Sequence, residues 1–144
     1  MMNYASSDND SVGTTLGLCP NGWHLPTHHE ITTIERAVCT GSNCATDFPY
    51  NFYSTGWHGS DEGGMLKDTG TIYWNSPNTG ATNSSHFSAL AGGVRYGSTG
   101  NFDKKGINLY FWSSSENNRY EAWRRPLATP MHQYTEIQIL SHMD

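Results

Sequence analysis

Cysteine and histidine crowd the stretch Cys19 to Glu30, which reads CPNGWHLPTHHE. Thiolate and imidazole are common zinc ligands, but zinc needs three or four of them converging from a rigid frame. The spacing does not supply that frame. Pro26 interrupts any helical register between His24 and His28, while His28 and His29 are adjacent and face different directions on a first helical turn. The block therefore reads as the start of a helix, with exposed histidines in its first turn and Trp23 and Leu25 in the core. No metal ligand and no cofactor are expected from it.

The other candidate chemistry is weaker. The Gly-flanked serines in HGSDEGG and YGSTG lack the Gly-x-Ser-x-Gly spacing of a nucleophile elbow and follow no apolar strand. Asp61-Glu62-Gly63-Gly64 carries oxygens suited to calcium, yet the alternating acidic pattern of a calcium loop is missing, so a tight acidic turn is the plainer reading. Tyr73-Trp74-Asn75 and Asn78 could stack on and hydrogen-bond a sugar, although aromatics bracing a long loop from within explain them as well. Cys39 and Cys44, in CTGSNC, fit a short disulfide in an oxidising compartment or two thiols packed as small buried groups. The segment after FWSSSE is richer: Asn117, Asn118, Arg119, Tyr120, Glu121, Trp123, Arg124 and Arg125 combine donors, acceptors and flat aromatic faces, as recognition surfaces do. An ordinary solvated strand would carry many of the same residues.

The elements that must hold these residues are legible in outline. Thr27 and Glu30 form a capping box, and Ile31, Ile34 and Val38 recur at helical spacing with Ala37 widening the stripe. Strands are expected at Leu109 to Ser113 and Glu121 to Arg125. A third strand is marked by Thr135, Ile137 and Ile139 alternating with Tyr134, Glu136 and Gln138. Between them, Gly, Asn and Pro punctuate short extended pieces. With 15 Gly, five Trp, eight Tyr and five Phe in 144 residues, the expectation is one loop-rich α+β domain with an aromatic core. Residues 1–15 read as a polar tail or the remnant of missing upstream strands, and residues 16–144 as the domain.

A formal charge of −5 with eight Lys and Arg offers no basic stripe for a phosphate backbone, so no nucleic-acid partner is expected. No apolar run approaches the roughly 20 residues that cross a bilayer, so direct membrane insertion is not expected. The opening MMNYASSDND has neither the basic nor the apolar region of a signal peptide. Either the chain stays in the cytoplasm, or its export signal lies outside this sequence.

The strings LCPNGWHLPTHHE, GSDEGGMLKDTGTIYWNSPNTGATNSSHFSALAGGVRYGSTGNF, FWSSSE and EAW together resemble the Fibrobacter succinogenes major paralogous domain, collinearly from about Leu18 to Trp123. The resemblance implies a C-type-lectin-like fold of short twisted antiparallel strands with one N-terminal helix and long ordered loops, related to the sulfatase-modifying, formylglycine-generating enzymes. It implies an extracellular or cell-surface setting and a binding or adhesion module rather than an enzyme. Cys39 and Cys44 share the gap of the catalytic cysteine pair of those enzymes, but they follow the first helix instead of lying late in the chain, so no catalytic residue is expected; in an oxidising compartment their spacing fits a disulfide, which is the expected state of the pair. Family members usually carry strands before the CPNGWHLP block and a closing Cys-bearing segment, so both ends here look clipped and Cys19 resembles half of a lost bridge. Such domains are also targets of diversity-generating retroelements, which vary surface residues near the C terminus; a structural spacer is a further alternative. The expected ligand face comprises Asn117 to Glu121 and Trp123 to Arg125, with His132, Tyr134, Glu136 and Gln138 beside them. Its expected partner is a polysaccharide or a surface protein.

Overall fold

The fold is taken from a computed structural model, which describes residues 14, 16–50, 56–118, 121–129 and 134–140, with only the backbone described at 118 and 134–140. The first element, α1 (His28–Val38), starts where the capping box places it. The Thr27 hydroxyl accepts from the Glu30 amide at 3.1 Å and the Glu30 carboxylate accepts from the Thr27 amide at 2.9 Å, an arrangement whose loss typically costs about 1 kcal/mol. His24 joins it, its Nε2 lying 2.8 Å from the other Glu30 oxygen.

The face that α1 buries differs from the apolar stripe expected of it. His28, Ile31, Thr32 and Glu35 are buried, at helical spacing, while Ile34 and Ala37 are exposed and Val38 is partly buried. Three of the four buried residues are polar, and each is matched by a partner from the sheet described below. His28, expected to be exposed, is therefore interior. Trp23, expected in the core, is 71% exposed, on a turn closed by its amide donating to the Pro20 carbonyl at 3.0 Å; Leu25 is partly buried.

Cys39 caps α1 and is bonded to Cys44, the first residue of α2 (Cys44–Asp47). Arg36 secures the same turn by donating to the carbonyls of Phe48 at 2.7 Å and Ala45 at 3.2 Å. Tyr50 then lies along α1, stacked on His29 at 3.9 Å and under the Arg36 guanidinium at 3.8 Å. Two groups that near one ring centre must occupy opposite faces of it, so the tyrosine is sandwiched between residues two helical turns apart.

Next come β1 (Gly56–His58) and α3 (Glu62–Leu66). The acidic turn expected at Asp61 to Gly64 is the opening of this helix, and Glu62 accepts from the amides of Ser60 at 2.7 Å and Asp61 at 3.1 Å. A long loop follows, pinned by the buried Trp74 donating its indole N–H to the Ala89 carbonyl at 2.9 Å. Tyr73 beside it is 53% exposed, so of the two aromatics only Trp74 braces the loop from within. The hairpin of β2 (Val94–Arg95) and β3 (Phe102–Asp103) is set close to the sheet by Gly93. Its φ is +79°, and a Cβ there would fall 2.5 Å from the Asp103 carbonyl oxygen, a position suited to glycine.

The three expected strands are present and longer: β4 (Asn108–Asn118), β5 (Glu121–Ala128) and β6 (Tyr134–Leu140). They form an antiparallel sheet in the order β1-β6-β5-β4. Opposed residues share a side and successive residues alternate, so Leu109, Phe111, Arg125 and Leu127 fall on one face and Tyr110, Trp112 and Arg124 on the other. The first face carries the core of Phe48, Leu66, Trp74, Ala89, Ala91 and Leu127, with Leu109 and Phe111 packed against it. The mixed helix-and-sheet class expected from the sequence is what the chain adopts.

Candidate functional site

Neighbouring residues of β5 divide between the two sides of the sheet, and the division decides which of them a ligand can reach. On the α1 side, Arg125 is 4% exposed. Its Nε donates to Glu35 at 2.7 Å and one terminal nitrogen donates to the Thr32 hydroxyl at 3.2 Å, with His28 Nδ1 3.3 Å away. Trp123 is fully buried, its indole tilted against the His28 ring at 5.9 Å. The His28 amide donates to Ser115 Oγ at 2.9 Å, and Ser113 Oγ donates to the Trp123 carbonyl at 2.9 Å. Both Trp123 and Arg125 were expected on the ligand face; the alternation of β5 turns them inward, where they fasten α1 to the sheet. A small pocket lies beside this network, lined by Glu35, Asp47, Phe48, Pro49, His58 and Arg125. The Glu35 carboxylate at its edge is already committed to Arg125.

The opposite side holds Arg124. Its guanidinium lies over the Tyr110 ring at 4.3 Å, a cation–π geometry, and Trp112 sits directly across from it on β4 with 45% of its surface exposed. Burial pushes the Arg124 pKa down, opposed by the nearby phenols of Tyr110 and Tyr96. The register through backbone positions 135 and 137 puts Trp57 of β1 on the same side, and Trp57 is 47% exposed. Among the described residues the Arg124 side chain makes no hydrogen bond or ion pair, and its Nε is buried without a partner.

Of the remaining expected site residues, those that are described lie at the β4–β5 turn or on β6. Asn117 donates to the Glu121 carboxylate at 2.7 Å across the β4–β5 turn, and Asn118 is paired with Glu121 through the backbone. Arg119, Tyr120 and His132 lie outside the described residues. Tyr134, Glu136 and Gln138 are backbone positions of β6 opposite His58, Gly56 and Trp123, on the row of Trp123 rather than that of Arg124. Sequence reasoning missed Tyr110, Trp112 and Trp57. Tyr110 and Trp112 do carry the two-residue period of a strand face, but Leu109 and Phe111 between them are apolar too and hide it.

Among the described residues no group of three or more His, Cys, Asp or Glu side chains is placed to hold a metal ion, and no helix is long and apolar enough to cross a membrane. Fold and site together define a small α+β domain with a disulfide at the end of its main helix, a sheet covered on one side, and aromatic residues exposed on the other. The chain belongs to the Fibrobacter succinogenes major domain family, whose model matches residues 4–140. No curated protein and no solved structure matches it.

Proposed function

We propose that the domain is a non-catalytic recognition or adhesion module with a C-type-lectin-like fold, acting outside the cell or at its surface, and that its ligand face is the side of the sheet bearing Arg124. The observation that carries this reading is the exposure of Trp112 and Trp57, close to half of each, on a side where Arg124 is stacked on Tyr110. Trp, Tyr and Arg are the residues that most often dominate binding energy at interfaces. The disulfide between Cys39 and Cys44 supports an oxidising compartment. The partner is a polysaccharide or a surface protein.

A glycan array run beside a surface-protein pull-down tests the reading. Trp112→Ala should weaken whichever interaction is found by roughly 2 kcal/mol or more, about 30-fold, without lowering the melting temperature by more than a few degrees. Silence in both screens, or full binding by a folded Trp57→Ala/Trp112→Ala double variant, would refute it.

A further inference from the structure

Arg124 and Arg125 are consecutive, yet their surroundings are opposite. Arg125 has a carboxylate at 2.7 Å. Arg124 is partly withdrawn from water, is fixed over an aromatic ring, and has no acidic partner among the described residues. A guanidinium in that state has lost hydration without recovering it in an ion pair, and its planar fork matches the two oxygens of a carboxylate. We infer that the open face takes an acidic polysaccharide, with a sugar carboxylate held by Arg124 and the adjoining ring seated against Trp112. This rests on the recognition reading above and narrows it to one ligand chemistry.

The shape of the face favours a polysaccharide over a small acid. Small ligands need a concave site that surrounds them, whereas Trp112 and Trp57 stand on an open sheet, separated by β5 and β6. Three strand spacings put them roughly 14 Å apart across the sheet, farther than one sugar ring extends. An extended chain would touch both. Glu116, opposite Ala122 on the same row as Arg124, repels a second carboxylate placed near it, which favours a chain whose charges are spaced over one packed with them. With a net charge of −5 on the whole protein, attraction for the anion is local to Arg124 and weakens with added salt.

The full chain is titrated with polygalacturonate, alginate, fully methyl-esterified galacturonan and poly-glutamate. At least one polyuronate should bind, the esterified polymer should bind roughly tenfold or more weakly, and poly-glutamate, which has carboxylates without sugar rings, should do no better than the ester. Removing a charged hydrogen bond through Arg124→Gln should cost the polyuronate roughly 10- to 100-fold in affinity, with Arg124→Lys between it and the wild type. If Arg124→Gln does not fold, Arg124→Lys and the comparison of free acid with ester on the unaltered protein still decide. Equal binding of ester and free acid, equal binding of poly-glutamate, or an Arg124→Gln variant that binds polyuronate normally overturns the inference. If Trp112→Ala abolishes binding in any of those cases, the recognition reading stands without it. Failure of both polyuronates to bind also overturns the inference, while the protein pull-down continues to test recognition separately.

Discussion

Removing Glu35 should destabilise the domain more than removing any exposed residue of α1. Glu35 and Arg125 are buried, with side chains 2% and 5% exposed, and their nitrogen and oxygen are 2.7 Å apart. Glu35→Ala leaves the guanidinium in the interior with the Thr32 hydroxyl and the His28 ring beside it, neither of which carries a compensating negative charge. Breaking a buried pair on one side costs about 3–5 kcal/mol, a large share of the 5–15 kcal/mol typical of a whole domain. At about 2–4 °C per kcal/mol for a chain of this size, the melting temperature should fall by about 6–20 °C. Guanidinium unfolding of the wild type, Glu35→Leu, Arg125→Met and the Glu35→Leu/Arg125→Met double variant supplies the cycle, with Glu35→Ala measured beside it. The double variant should be close to wild type or better, because it removes both charges from the interior, and the two single variants should be far from additive. A Glu35→Ala cost below about 1 kcal/mol, or a double variant as unstable as the sum of the singles, would refute the claim that this pair is buried and coupled.

Two further outcomes probe the ends of the same scaffold. Replacing Cys39 and Cys44 by serine should cost about 2 kcal/mol from the chain entropy of so short a loop, and denatured protein should titrate one thiol, that of Cys19, before reduction and three after it; three thiols without reductant would exclude the bridge. Burial holds the Lys67 ammonium, beside the Trp74 ring and the Ala128 carbonyl, down from the ordinary 10.5 to about 8. The unfolded chain then binds the extra proton between those values, so this group's unfavourable contribution is complete below about pH 8 and fades as pH rises toward 10.5. Lys67→Met should therefore gain on the order of 1 kcal/mol at pH 7 and flatten that rise, and parallel stability–pH curves for the two proteins would show that the shift is absent.

What the sequence discloses depends on how far apart the interacting residues lie along it. The capping box at Thr27 and Glu30 spans three residues, and the start of α1 follows from it directly. The buried stripe of α1 does not, because counting apolar side chains favours Ile34 and Ala37, whereas Thr32 and Glu35 go inside to meet Arg125, 90 residues beyond Glu35. No local pattern announces such a partner. Trp23 was expected in the core, but a surface turn at Pro20 to Trp23 keeps it outside. On the sheet, the strands are recognisable from their apolar content while their sidedness is not. LYFWSSS and EAWRRPLA carry apolar or long side chains at both parities, and the irregular register between Trp112 and Glu116 shifts the count again before the turn.

That ambiguity of parity is also why residues from both sides of the sheet were expected on one ligand surface, although Trp123 and Arg125 are buried. Trp123 and Arg125 have the composition of a recognition site and serve as fasteners for α1, whereas Arg124, flanked by both, is turned to the other side of the sheet. One consequence concerns how the two roles can vary. Substitutions at Trp123 or Arg125 disturb the contacts with His28, Thr32 and Glu35 that join helix to sheet, so changes there alter stability. Substitutions at Trp57, Tyr110, Trp112 or Arg124 leave those contacts intact. Under the proposed function, β5 alternates positions bound to the fold with Arg124 on the other side, and specificity would diverge at Arg124, Trp57, Tyr110 and Trp112 without unfolding the domain.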